Sequence, residues 1–137
     1  MIFYNNIDNG FRIKDKLKLK KWIIKSIEEE KKGVDFISFN FCSDVYILEL
    51  NKRALGHNYY TDIITFELNN ENENIEGDIY ISIDRVKDNA KLLKESFLNE
   101  LHRVIIHGVL HLCGYKDKMP IDLKMMREKE NYYLNKR

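Results

Sequence analysis

A chain of 137 residues, 44% of them hydrophobic and 33% charged, has the make-up of one folded domain with a sizeable core and a soluble surface. A net charge of +1 argues against a protein held to nucleic acid by bulk charge alone. Two cysteines, Cys42 and Cys113, are too few for a disulfide scaffold, and no apolar run approaches the roughly 18 residues of a membrane span. The first residues, Met1 to Asn6, lack the charged start and apolar stretch of a signal peptide, so a cytoplasmic protein is expected. Ile2 to Tyr4 reads as a short strand. Lys16 to Lys31 reads as a helix, with Leu17, Leu19, Trp22, Ile23 and Ile27 mostly on one face and lysines on the other. Gly33 is expected to end it. Asp35 to Cys42 alternates phenylalanines with small polar residues, as a strand does. Ser43 suits the N-cap of a helix over Asp44 to Leu55.

Asp62 to Leu68 and Asp78 to Ile83 read as two further strands. Between them lies Asn69-Asn70-Glu71-Asn72-Glu73-Asn74, a tract too hydrophilic to pack and expected to be a mobile loop. Ile83 to Lys94 reads as a helix. Glu95 to Cys113 reads as a longer one that is apolar nearly all round, from Leu101 to Leu112, and therefore central. Pro120 introduces a last helix over Asp122 to Asn135. Short strands alternating with helices predict an α/β (α+β layered) domain over residues 1–137. A small, mostly four-stranded sheet would pack with helices around the central apolar one.

The central helix carries His107-Gly108-Val109-Leu110-His111-Leu112-Cys113-Gly114-Tyr115-Lys116-Asp117. At about 3.6 residues per turn, His107 and His111 project from one face. Gly114 can take the left-handed conformation that ends the helix, and the chain can then fold back to bring Asp117 to the two imidazoles. Two nitrogens and one oxygen form a divalent transition-metal site with a coordination position left open, the mark of a catalytic metal. Paired histidines at this spacing, followed by a helix stop and a carboxylate, are seldom core residues by accident. His102, about 140° further round the helix, reads as a surface or packing residue. Cys113 points away from the histidine face and reads as a small hydrophobe. Metzincin proteases share the spacing but carry glutamate after the first histidine as general base. Here that position is Gly108, which takes no proton and would open room beside the metal.

These residues resemble the signature H-G-x-L-H-L-x-G-Y-D-H of the YbeY family of bacterial rRNA-maturation endoribonucleases. The departures are Lys116 for aspartate and Asp117 for the third histidine. Leu50-Asn51, Thr61-Asp62-Ile63-Ile64-Thr65-Phe66 and Gly77-Asp78-Ile79-Tyr80-Ile81-Ser82 resemble the family's L-N, T-D-V-L-S-F and G-D-I-x-I-S segments in the same order. The family's usual arginine falls on Leu55, with Arg53 two residues away. The resemblance implies a zinc-dependent single-strand endoribonuclease with one Zn2+, or another divalent transition ion, on His107, His111 and Asp117. Its work would be maturation of the 3′ end of small-subunit rRNA and ribosome quality control, with rRNA and ribosome-associated proteins as partners and no membrane.

A metal of this kind lowers the pKa of its water from about 16 to about 7, which serves phosphodiester cleavage. Asp117 in place of a histidine adds a negative charge, which weakens the Lewis acid and favours somewhat harder ions. The expected RNA contacts are Lys18, Lys21, Lys25, Arg53, Arg103 and Lys116. The lysine run has two readings, a solvated face and a phosphate contact. Asp62 and Asp78 also have two, strand-end caps and cleft residues. Tyr132 and Tyr133 read as packing residues. Two further readings of the function stand beside the nuclease. One is a ribosome-assembly factor with a mainly structural metal, kept open by Leu55. The other is a metzincin-like protease, disfavoured by Gly108.

Overall fold

The computed structural model describes residues 1–69 and 74–137. Their order is β1 (Ile2–Asn6), α1 (Lys16–Glu29), β2 (Gly33–Cys42), α2 (Asp44–Leu55), β3 (Ile63–Asn69), β4 (Asn74–Ser82), α3 (Ile83–Leu93), α4 (Phe97–Leu112) and α5 (Pro120–Leu134). The elements expected from the sequence are present, with three local differences. Leu17 is 66% exposed and stands with the lysines, while Leu19, Trp22, Ile23 and Ile27 bury the inner face of α1. Gly33 does not end α1. Lys31 takes the positive φ of 61° at that turn, and Gly33 already opens β2. β3 is shifted by one residue, to Ile63–Asn69, and β4 starts earlier than expected, at Asn74. The rest of the polar tract expected as a mobile loop, residues 70–73, lies outside the described residues.

The described strands form one mixed sheet in the order β1-β2-β4-β3. β1 pairs parallel with β2, β2 pairs parallel with β4, and β3 pairs antiparallel with β4. Ile37, Phe39, Phe41, Ile79 and Ile81 meet α1, α4 and α5 in the main core. On the other side Ile47 of α2 packs with Cys42 and Ile64. Serine caps start three helices. Ser43, Ser82 and Ser96 accept hydrogen bonds from the backbone N–H groups of Tyr46, Arg85 and Asn99 at 3.2, 3.1 and 3.0 Å.

The central helix α4 lies unusually close to the sheet, and two glycines allow it. A Cβ on Gly108 would come within 2.8 Å of Ile63 and 3.0 Å of Ile79, and one on Gly77 within 2.6 Å of Leu112. Gly108 is buried. The expectation that it opens room beside the metal is therefore corrected: it is the point where α4 beds onto β3 and β4. Among the described residues no helix is long and apolar enough to cross a membrane.

Candidate metal centre

α4 presents His107 and His111 one turn apart, their rings 4.6 Å between centroids and nearly perpendicular. Leu112 is its last residue, and Gly114, at φ 109°, turns the chain. The turn is held by backbone bonds from Gly114 N to His111 O (3.0 Å) and from Tyr115 N to Leu110 O (3.0 Å). It is also pinned from the residue that caps the end of α1, because the Tyr115 hydroxyl donates to Glu30 Oε1 at 2.6 Å. Burial pushes the Glu30 carboxyl up, but hydrogen bonds from Tyr115, Tyr133 and Lys129 outweigh this and hold it below its ordinary value. Asp117 thereby returns to the histidines.

His107 Nε2, His111 Nε2 and Asp117 Oδ2 form a triangle with edges of 3.0, 3.2 and 3.2 Å. A tetrahedral ion with bonds of about 2.0–2.2 Å spaces its ligand atoms roughly 3.3 Å apart, so the three atoms fit one ion closely, and they are grouped so that they could hold it. Both imidazoles are oriented from behind. His107 Nδ1 meets Glu130 Oε2 at 2.7 Å, and His111 Nδ1 meets the Tyr115 carbonyl at 2.9 Å. With Nδ1 carrying the proton and donating, each Nε2 lone pair is left for a metal.

Glu130 is the residue that sequence reasoning missed. It lies on α5, is 4% exposed, and accepts from Arg103 at 3.2 Å with Arg127 3.5 Å away. Burial pushes its carboxyl up, but His107 and the two arginines outweigh that and hold it below its usual value. Burial pushes His107 down, yet Glu130, Asp117 and Asp62 leave it above its ordinary value. A signal for Glu130 did exist: it occupies the buried stripe Met126, Glu130, Tyr133, Leu134 of α5, where a lone glutamate demands a partner.

The three candidate ligand atoms sit in an open cleft of about 650 Å³ between α4, β3 and the segment after α2. Asn51, buried on α2, shapes one wall: its amide donates to the Tyr59 carbonyl at 3.0 Å. His57 stacks on Tyr59 in that wall. Asp62 lines the cleft, and its Oδ2 accepts from Asn89 at 3.2 Å. Burial pushes its carboxyl up, with the His107 charge opposing. Asp78 is neither a strand-end cap nor a cleft residue. It sits inside β4 and accepts from Ser38 Oγ at 2.5 Å.

Of the expected RNA contacts, Lys116 is exposed at the cleft mouth, beside Lys118, which was not anticipated. Leu55 lines the same cleft at 47% exposure, so the position of the family's arginine faces the centre. Arg53 is exposed on α2 but does not line the cleft. Arg103, 15% exposed, is committed to Glu130 and, at 2.9 Å, to Asn131. Lys18, Lys21 and Lys25 line a separate groove. His102 packs on Trp22, 5.5 Å between centroids, and burial, then the charges of Arg137 and Lys18, bring it down to about 4. Cys113 packs against the core, its thiol pushed up to about 12 by burial and the Glu30 charge. Tyr133 is buried and its hydroxyl donates to Glu30, whereas Tyr132 is partly exposed and donates to Glu29.

The fold and the centre together define a class: small α+β domains that carry two histidines and a third ligand on and after a central helix, open to a cleft. A family model described as Endoribonuclease YbeY matches residues 3–137. The Endoribonuclease YbeY of Cytophaga hutchinsonii is 45% identical over 136 residues, 99% of this chain and 95% of that protein. That of Porphyromonas gingivalis is 50% identical over 110 residues, 80% of this chain and 72% of that protein. A solution structure from Thermotoga maritima superposes with a TM-score of 0.70 at 32% identity, covering 98% of this chain and 87% of that one. The chain belongs to the YbeY family of endoribonucleases.

Proposed function

We propose that the protein is a metal-dependent endoribonuclease that cuts single-stranded RNA during rRNA maturation in the cytoplasm, acting at the 3′ end of small-subunit rRNA and in ribosome quality control. One zinc ion would be held by His107, His111 and Asp117. The observation that carries this reading is the ligand triangle of 3.0, 3.2 and 3.2 Å at an open cleft. A divalent ion bound there, with a coordination position open, supplies an acidified water and a Lewis acid for a phosphoryl oxygen. Glu130 and the Tyr115 carbonyl hold the imidazoles in register. Lys116 and Lys118 at the mouth meet the phosphates flanking the scissile one, with Arg53 as an outer contact. The Asp117 carboxylate lowers the net positive charge of the centre and extends its tolerance from zinc to harder ions.

Leu55 favours a second reading. An apolar side chain, Leu55, stands on the cleft wall at the position where the resemblance puts the family's usual arginine. Without it the protein could serve as an assembly factor that binds rRNA and ribosomal proteins around a structural metal. Incubating metal-loaded protein with single-stranded RNA and with casein, with and without chelator, separates the readings. The nuclease reading expects RNA cleavage that the chelator abolishes, and intact casein. Tight RNA binding without cleavage supports the assembly factor, and cleaved casein with intact RNA supports a protease.

A further inference from the structure

A second groove, of about 580 Å³, runs between α1 and the end of α5. Lys14, Lys18, Lys21 and Lys25 line one side and Lys136 and Arg137 the other, with Asp15 the acidic residue among them. Spacings of three and four residues put Lys18, Lys21 and Lys25 on one face of α1, and Lys14 lies just before the helix. None of the ion pairs among the described residues uses them, and the nearby Glu29 and Glu30 are taken by Lys136 at 3.6 Å and Lys129 at 3.1 Å. The arrangement works against the free fold in two ways. Like charges three and four residues apart repel, and Lys18 stands in the first turn of α1, at the positive end of the helix dipole, with the N-cap Asp15 as the acidic residue beside it. A polyanion laid along this face relieves both. The floor between the two basic sides includes Leu134 and Leu98, the latter 52% exposed. That suits a flexible strand whose bases lie on apolar side chains while its phosphates meet the rim.

The groove is not part of the metal cleft. No residue lines both. His102 in the groove and His107 in the cleft are five residues apart on α4, about 140° round the helix, so the two sites lie on different flanks. We propose that this groove is a second binding site for the backbone of single-stranded RNA, which holds a long substrate beyond the segment lodged in the metal cleft. The proposal rests on the nuclease reading above and adds a requirement for substrate length to it.

The test compares the wild-type protein with the triple variant Lys18→Gln, Lys21→Gln, Lys25→Gln. Glutamine retains the helix propensity of lysine, and circular dichroism and metal content check the fold. Binding is measured against salt for a short single-stranded RNA that fills only the cleft and for a long one that can reach the groove. Long RNA should bind the variant more weakly, with a salt slope shallower by about 2, at roughly 0.7 per lost phosphate contact. Short RNA should bind both proteins alike. Unchanged affinity and slope for long RNA overturn the proposal, as does an equal loss for short and long RNA, which is bulk charge. A polyglutamate peptide that displaces long RNA from the wild type but not from the variant, as effectively as RNA does, assigns the groove to an acidic protein and also overturns it. Wild-type protein that binds neither RNA overturns the nuclease reading as well, whereas wild-type binding that survives the triple change overturns this proposal alone.

Discussion

At the scale of single residues, the candidate centre is oriented by groups outside the trio of His107, His111 and Asp117. Glu130 takes the proton side of His107 and is itself held by Arg103. Outer partners of this kind usually contribute 10–100-fold in metal affinity. Glu130→Ala should therefore weaken zinc binding by about that factor in competition with a chelator, while Glu130→Gln, which keeps an amide oxygen near His107 Nδ1, should recover part of it. Equal affinity in all three proteins would mean that Glu130 only fills space. The grouping of His107, His111 and Asp117 was legible in the sequence because the two histidines share one helix face and Gly114 lets Asp117 return, all within a short segment. Glu130 was not, because its contact spans 23 residues and two helices. Arg103 was misjudged for the same reason: an arginine on a helix near the site reads as a substrate contact until its carboxylate partner on another element is seen.

At the scale of elements, the fit of α4 on the sheet decides where the histidines stand. Gly108 and Gly77 remove the side chains that would hold the layers apart. Gly108→Ala adds about 1 kcal/mol of helix propensity but drives a Cβ to within 2.8 Å of Ile63 and 3.0 Å of Ile79. Overpacking of this kind costs about 1–3 kcal/mol, so a net loss of stability is expected. Thermal denaturation should show a lower midpoint, and a midpoint at or above that of the wild type would mean the sheet yields freely. The sequence revealed α4 through its apolar periodicity and the starts of α2, α3 and α4 through their serines. It did not reveal why Gly108 is a glycine, since the neighbours that require it, Ile63 and Ile79, lie on strands distant in the chain. The end of α1 was misplaced because Lys31, a residue with a Cβ, takes the left-handed turn that Gly33 seemed made for.

At the scale of the whole molecule, strand order and partnership come from contacts that no local pattern encodes. β2 and β4 lie parallel and adjacent although α2 and β3 separate them in the chain, so the layered class was readable and the pairing was not. The cleft draws its walls from separate elements, with Asn51 and Leu55 from α2, Asp62 before β3, Thr65 on β3, and the candidate ligands from α4 and its following turn. The central claim is that a single metal held by this frame is required to cut RNA. Its most direct test is to strip the protein of metal, titrate zinc back, and follow cleavage of single-stranded RNA at each step. The rate should rise from zero and level off at one equivalent per chain, with Asp117→Ala needing excess metal to approach the same plateau. Cleavage that persists in the stripped protein, or that zinc, manganese and other divalent transition ions all fail to restore, would contradict the account.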